Sequence, residues 1–159
     1  CINGVIMNHI TNKQVMSVLL QNGWHYGRKE NIDKYIKCLS IKKYFVNEII
    51  CDFLSEFGGL IVRHESYSDP NEYDKSDFDP IKAAGWIDSK WITEVYEPLV
   101  NKRLCPVGVG FSEHMTYFIS DDGALYGGFD NYFCIIGGNI NDAMLHLFFE
   151  HEKIKTLSS

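Results

Sequence analysis

At 159 residues, 45% hydrophobic and 14% aromatic, the chain is long enough to bury one core without cross-links and too apolar to stay unfolded. Its formal net charge of −6 argues against direct binding of nucleic acid, whose phosphates it repels, and for attraction to a basic partner. Five scattered cysteines (Cys1, Cys38, Cys51, Cys105, Cys134) with no C-x-x-C pair read as reduced thiols, with Cys51 and Cys134 in the core.

In chain order, the opening residues lack the basic-then-apolar plan of a signal peptide, and no apolar run approaches the ~20 residues of a membrane span. We expect a cytoplasmic protein without membrane contact; Cys1 reads as a trimmed start, with Met7 close to the natural one. A first helix is expected from Asn12 to Gln21, capped by Thr11 with Gln14, carrying an apolar stripe of Val15, Val18 and Leu19. Next comes NGWHYGRK, residues 22–29, dense enough in aromatic and basic groups to suggest a site. We read it as a joint instead. Asn22-Gly23 stops the helix, Trp24 offers an apolar body to the core, Gly27 permits a bend, and Arg28 can satisfy buried carbonyls or a carboxylate.

From Arg28 to Lys43 six basic residues face two acidic ones, a stretch that could serve a second interface. A longer helix is expected over Lys43–Phe57, its stripe formed by Val46, Ile49, Ile50, Phe53, Leu54 and Phe57, and ended by Gly58-Gly59. LIVRH then reads as a strand. Residues 65–79 hold six acids and one base, Lys75, and read as a polar acidic loop. FDPIKAAGW leads into a helical turn, and a third helix from Ser89 carries Trp91, Ile92, Val95, Tyr96, Leu99 and Val100, with a kink or end near Tyr96 imposed by Pro98. LCPVGVG is extended; MTYFIS and ALYGGF flank the tight turn Asp121-Asp122-Gly123; YFCIIG is a further strand. The last helix is expected over Asn141–Lys155, with Ala143, Met144, Leu147, Phe148 and His151 inward. Helices and strands are segregated rather than alternating. The expected fold is therefore α+β, a mainly antiparallel mixed sheet flanked by helices, in one domain over 1–159 with its core at about 12–155.

The residue patterns exclude the common chemistries. His146 and His151 are five apart and no H-E-x-x-H occurs, so no metal site is expected. The segment starting at Asp69 places Asp74 where a calcium loop needs glycine and Pro80 where it needs glutamate. GFSEH, residues 110–114, is not a G-x-S-x-G elbow, and no G-x-G-x-x-G opens a helix. The acidic side chains look solvated, which leaves them no reason to acquire a catalytic pKa. Neither a catalytic residue nor a cofactor is expected.

Five segments in order, NGWHYGRK, FLSEFGGLIV, FDPIKAAGW, LCPVGVG and ISDDGALYGGFDNYFCIIGGNINDAMLHL, resemble the SUKH superfamily and, within it, the third SUKH group of bacterial immunity proteins. The resemblance covers about residues 15 to 150 and implies an α+β protein of a polymorphic toxin system. Such a protein binds a cognate toxin domain, often a nuclease, and blocks it without chemistry of its own. Trp24, Gly27, Arg28, Gly58, Gly59, Pro106, Gly108 and Gly123 match the family's motif positions and are read as structural.

Within that frame the partner-binding candidates are Glu65, Tyr67, Asp69, Glu72, Tyr73, Asp74, Asp77 and Asp79, with Phe78 beside them. Carboxylates would steer a basic toxin and rings would supply affinity. The alternative is a regulatory or small-ligand-binding protein of the same fold acting on another host partner. Its anchors would be Arg28 with Trp24 and Ser112 with His114, and a pocket gathering them would favour it.

Overall fold

The computed structural model describes residues 9–66, 69 and 71–159. Helix α1 (Lys13–Gln21) starts where the Asn12 side chain accepts from the amides of Gln14 and Val15, so the cap is Asn12 rather than Thr11. A helix absent from the sequence reading follows: α2 (Asp33–Ile41) buries Tyr35 and Leu39 and turns its lysines outward. Lys43 ends this segment in the left-handed region at φ 65°. Helix α3 (Glu48–Phe57) therefore begins five residues later than expected, capped by Asn47 onto the Ile50 amide. Cys51, expected in the core, is only half-buried on this helix.

Strand β1 (Ile61–Glu65) is followed by a second strand, β2 (Tyr73–Asp77), inside the segment expected to be loop. The two pair antiparallel from Ile61↔Asp77 to Glu65↔Tyr73. This pairing corrects the acidic-loop reading, and its physical cause is visible on the buried face. There β2 carries Ser76 rather than an apolar residue, so the alternation that marks a half-buried strand is missing. Ser76 is tolerated because it is bonded on both sides. Its Oγ lies 2.7 Å from His64 Nε2 and 2.8 Å from the Tyr117 hydroxyl, while His64 Nδ1 donates to the Glu65 carbonyl. Burial lowers the His64 pKa and raises that of Tyr117, keeping both groups neutral within the array.

Asp79 then caps α4 (Pro80–Trp86). A π-helical turn, Trp91–Tyr96, passes into α5 (Glu97–Val100) at the point where Pro98 was expected to interrupt. Leu99, expected on the inward stripe, is instead exposed. The strands β3 (Leu104–Gly110), β4 (Met115–Ser120), β5 (Leu125–Phe129) and β6 (Tyr132–Gly137) form consecutive hairpins. Helix α6 (Ile140–Phe148) stops well short of Lys155. His151 lies in a 3₁₀ turn (His151–Lys153), and the final residues form a seventh strand, β7 (Lys155–Ser158).

The seven strands lie side by side in chain order, each pair antiparallel. One face of the sheet, through Val62, Val107, Tyr117, Ile119 and Ile136, packs on α1, α3 and α6 in the main core. The other face, through Leu104, Phe118, Tyr126 and Phe133, packs on Ile92 and Tyr96. Tyr96 and Phe133 stack there with ring centroids 4.6 Å apart. The architecture is α+β, as expected. Among the described residues no helix is long and apolar enough to cross a membrane.

Two contacts set the pose of the β1–β2 hairpin. Gly108 of β3 leaves room for it: a Cβ there would lie 2.6 Å from the Asp77 carbonyl and 3.1 Å from Phe78 Cα. On the other side, Asn22 Oδ1 accepts from the Arg63 amide on the outer edge of β1.

Candidate functional site

The stretch NGWHYGRK folds into a closed polar knot against the end of α3. Trp24 is buried, and its indole N–H donates to Glu56 Oε2 at 3.0 Å. Arg28 donates through Nη1 to the Glu56 carbonyl at 2.6 Å and through Nη2 to the Gly58 carbonyl at 3.1 Å. Both are carbonyls that a helix end leaves without an intrahelical partner. His9 Nδ1 donates to Glu56 Oε1 at 2.6 Å; this bond raises the His9 pKa against the opposing effect of burial. Gly27, Gly59 and Gly123 sit at φ of 70°, 85° and 93°, and a Cβ on Gly58 would strike the Leu54 carbonyl and the Tyr35 ring. Each donor named here is aimed at protein.

The acidic residues are divided by the hairpin. Asp79 is spent on the helix cap, accepting from the amides of Ile81 and Lys82. Asp77 is half-buried and bonded to Lys82 Nζ at 3.3 Å. Phe78, expected among the interface rings, is completely buried and packs edge-on against Phe53 with centroids 5.9 Å apart. Three of the candidates are thus tied into the fold at one end of β2. The others that the structure describes lie at the opposite end, around the hairpin turn. Glu65 and Glu72 are exposed, Asp69 accepts from the Asn71 amide, and Asp74 Oδ1 accepts from the amides of Lys75 and Ser112. Tyr73 is 74% exposed, with the Arg63 guanidinium 5.7 Å from its ring centroid. Tyr67 lies outside the described residues.

This same end of the sheet carries the β3–β4 turn, the β5–β6 turn and β7, and between them opens a cavity of about 540 Å³. Its walls include Asp74, Phe111, His114, Phe129, Tyr132 and Thr156. Cys134 also faces it; burial pushes that thiol up to about 11, so it is a neutral wall. The β3–β4 turn is strained. Phe111, Ser112 and Glu113 hold φ of 50°, 57° and 66° in succession, a conformation costing of order 1 kcal/mol or more per non-glycine residue. Two bonds from outside the turn keep it there. Ser112 N–H donates to Asp74 Oδ1 at 3.1 Å, and Lys82 Nζ donates to Glu113 at 2.7 Å, which lowers the Glu113 pKa and raises that of Lys82.

The structure therefore brings Ser112 and His114 to a cavity but keeps Trp24 and Arg28 in the knot at α3, so the four anchors of the ligand-binding alternative are not gathered. Sequence reasoning missed the cavity rings Phe111, Phe129 and Tyr132. For Phe111 the signal was weak for a reason: positions with φ > 0 normally show as Gly, Asn or Asp, and the β3–β4 turn uses Phe, Ser and Glu.

A family model described as SUKH-3 immunity protein matches residues 11–150 of the chain. No curated protein matches, and no solved structure matches.

Proposed function

Because the chain belongs to the SUKH-3 immunity protein family, we propose that it binds a cognate toxin domain, basic and of nuclease type, and blocks it by covering its working surface. Inhibition by occupancy requires no catalytic group of this chain and no cofactor. A nuclease must offer a cationic surface to its substrate, and a protein that places carboxylates on that surface competes with phosphate directly. The observation that carries the reading is the cluster of Glu65, Asp69, Glu72 and Asp74 around the turn of the β1–β2 hairpin. Glu65 and Asp74 stand on the paired strands themselves, and Glu72 lies at their edge, where its carbonyl accepts from the Ser66 amide, so less ordering entropy is lost at these three on binding. Tyr73, largely exposed beside them, supplies an aromatic contact among the charges.

The test uses the toxin domain encoded beside this chain. The unaltered chain should abolish its activity at stoichiometric concentration. Changing Glu65, Asp69, Glu72 and Asp74 together to their amides should lower the association rate at low salt by about tenfold or more and flatten its salt dependence. An association rate and salt slope equal to those of the unaltered chain would remove the acidic turn from the interface.

A further inference from the structure

We propose that the cavity at the turn end of the sheet receives an arginine side chain carried on an apolar segment of the toxin domain; this rests on the immunity reading above. The walls select the occupant. Phe111, Phe129, Tyr132 and Met115 offer rings and a thioether to an apolar stem, while Asp74 supplies one carboxylate. A purely apolar occupant would strip water from Asp74 and return no hydrogen bond, which is unfavourable. An anion would meet Asp74 and, on the turns around it, Glu113 and Asp130.

A cation is therefore required, and arginine fits better than lysine. Asp74 Oδ1 is already engaged by two backbone amides. A planar guanidinium can bond the remaining acceptor positions at the edge of its plane while its face lies on an aromatic ring, a combination a lysine ammonium does not have. None of the lysines and arginines on the hairpin or beside it lines the cavity. Lys82 is held by Asp77 and Glu113, and Arg63 lies over Tyr73 on the outer face. Of the residues at the start of β7, Ile154 and Thr156 line the cavity and Lys155 between them does not.

The same geometry explains why the β3–β4 turn is kept in a strained form. Its Ser112 amide is fastened to Asp74, so the residue that would recognise the guanidinium also fixes the Phe111 wall. The site is assembled before the occupant arrives, which spares the ordering cost at binding.

The experiment needs no toxin for its first arm. The ¹⁵N-labelled full chain is titrated with capped Leu-Arg and, separately, capped Leu-Gln dipeptides, followed by amide shifts. Leu-Arg should move the amides of Ser66, His114 and Thr156 and bind about tenfold tighter than Leu-Gln. Asp74→Asn keeps the Oδ1 acceptor that holds the turn and removes only the charge, so it should erase the preference for Leu-Arg. Thr156→Trp fills the cavity from an exposed strand position and should abolish shifts from both peptides. Equal affinities for the two peptides, or shifts confined to other surfaces, would overturn the proposal. In a second arm the cognate toxin domain should lose about tenfold in affinity against either variant. Unchanged toxin affinity in both variants overturns the cavity while leaving the immunity reading in place. Failure of the unaltered chain to bind the toxin overturns that reading and the occupant named here with it.

Discussion

Replacing Arg28 with methionine tests whether NGWHYGRK is a joint or a binding surface. The side chain is 8% exposed and donates to two carbonyls at the end of α3, at 2.6 and 3.1 Å. Hydrogen bonds from a charged donor are each worth about 1.5–3 kcal/mol, and methionine keeps the packing of the stem but returns neither bond. The ion pair with Glu30 adds little, because Glu30 is 54% exposed. Taking the low end for each bond gives a loss of about 3 kcal/mol, and Arg28→Lys, which retains one point donor, should lose about half of that. For a chain of this length that corresponds to a melting temperature roughly 6–12 °C lower for the methionine variant. Urea unfolding with an unchanged slope would measure the loss as stability rather than as a change in the unfolded state. Toxin binding measured well below the transition should be unaltered. A loss under about 1 kcal/mol in the methionine variant would mean that the two carbonyls find other partners and that the joint is misread. Lost toxin binding with stability intact would make the stretch part of the interface.

Two histidines should respond to pH in opposite directions. The His9 pKa is raised by its bond to Glu56, so its contribution is complete below the unfolded value near 6.5 and fades as pH rises through the folded value; His9→Gln should cost about 1 kcal/mol at pH 5.5 and progressively less as pH rises. The His64 pKa is lowered by burial, so its part of the stability is present above about 6.5 and fades as pH falls towards the folded value; His64→Gln should flatten the acid limb of the stability profile. Adjacent glycines should separate sharply on alanine substitution. Gly137→Ala drives a Cβ to 2.6 Å from Ala143 Cα and should cost about 2 kcal/mol or more, whereas Gly138→Ala meets nothing within 4 Å and should stay within about 0.5 kcal/mol, both read by urea unfolding. Asp79→Ala should cost about 1 kcal/mol of stability through the lost cap on α4 and leave the toxin association rate unchanged, the reverse of Glu72→Gln; a rate change in Asp79→Ala would return that carboxylate to the interface.

The parts of the fold that were legible in advance are those whose apolar residues repeat at a clear period. The stripes of α1, α3 and α6, and the continuous apolar runs of β3, β4 and β6, needed only local information. The parts that escaped were those whose buried positions are polar or few. Strand β2 hides behind Ser76, and α2 commits only Tyr35 and Leu39 to burial while its charges dominate the window. Strand β7 was not anticipated: the expected helix ran on to Lys155, and four residues are too short to show a period of their own.

The same division holds for the candidate site. Composition and spacing alone determined that the chain is acidic, that its negative charge is concentrated in residues 65–79, and that no common catalytic or metal pattern is present. Five ordered segments were enough to indicate the family. Only the tertiary structure decided which carboxylates are available. A strand pair turned Asp77 towards Lys82 and left Glu65 and Glu72 exposed, and a helix start took Asp79. Sequence position cannot rank identical carboxylates, because their availability depends on partners supplied from elsewhere in the chain. Asp74 is fastened to Ser112, 38 residues away, and Asp77 and Glu113 share one lysine.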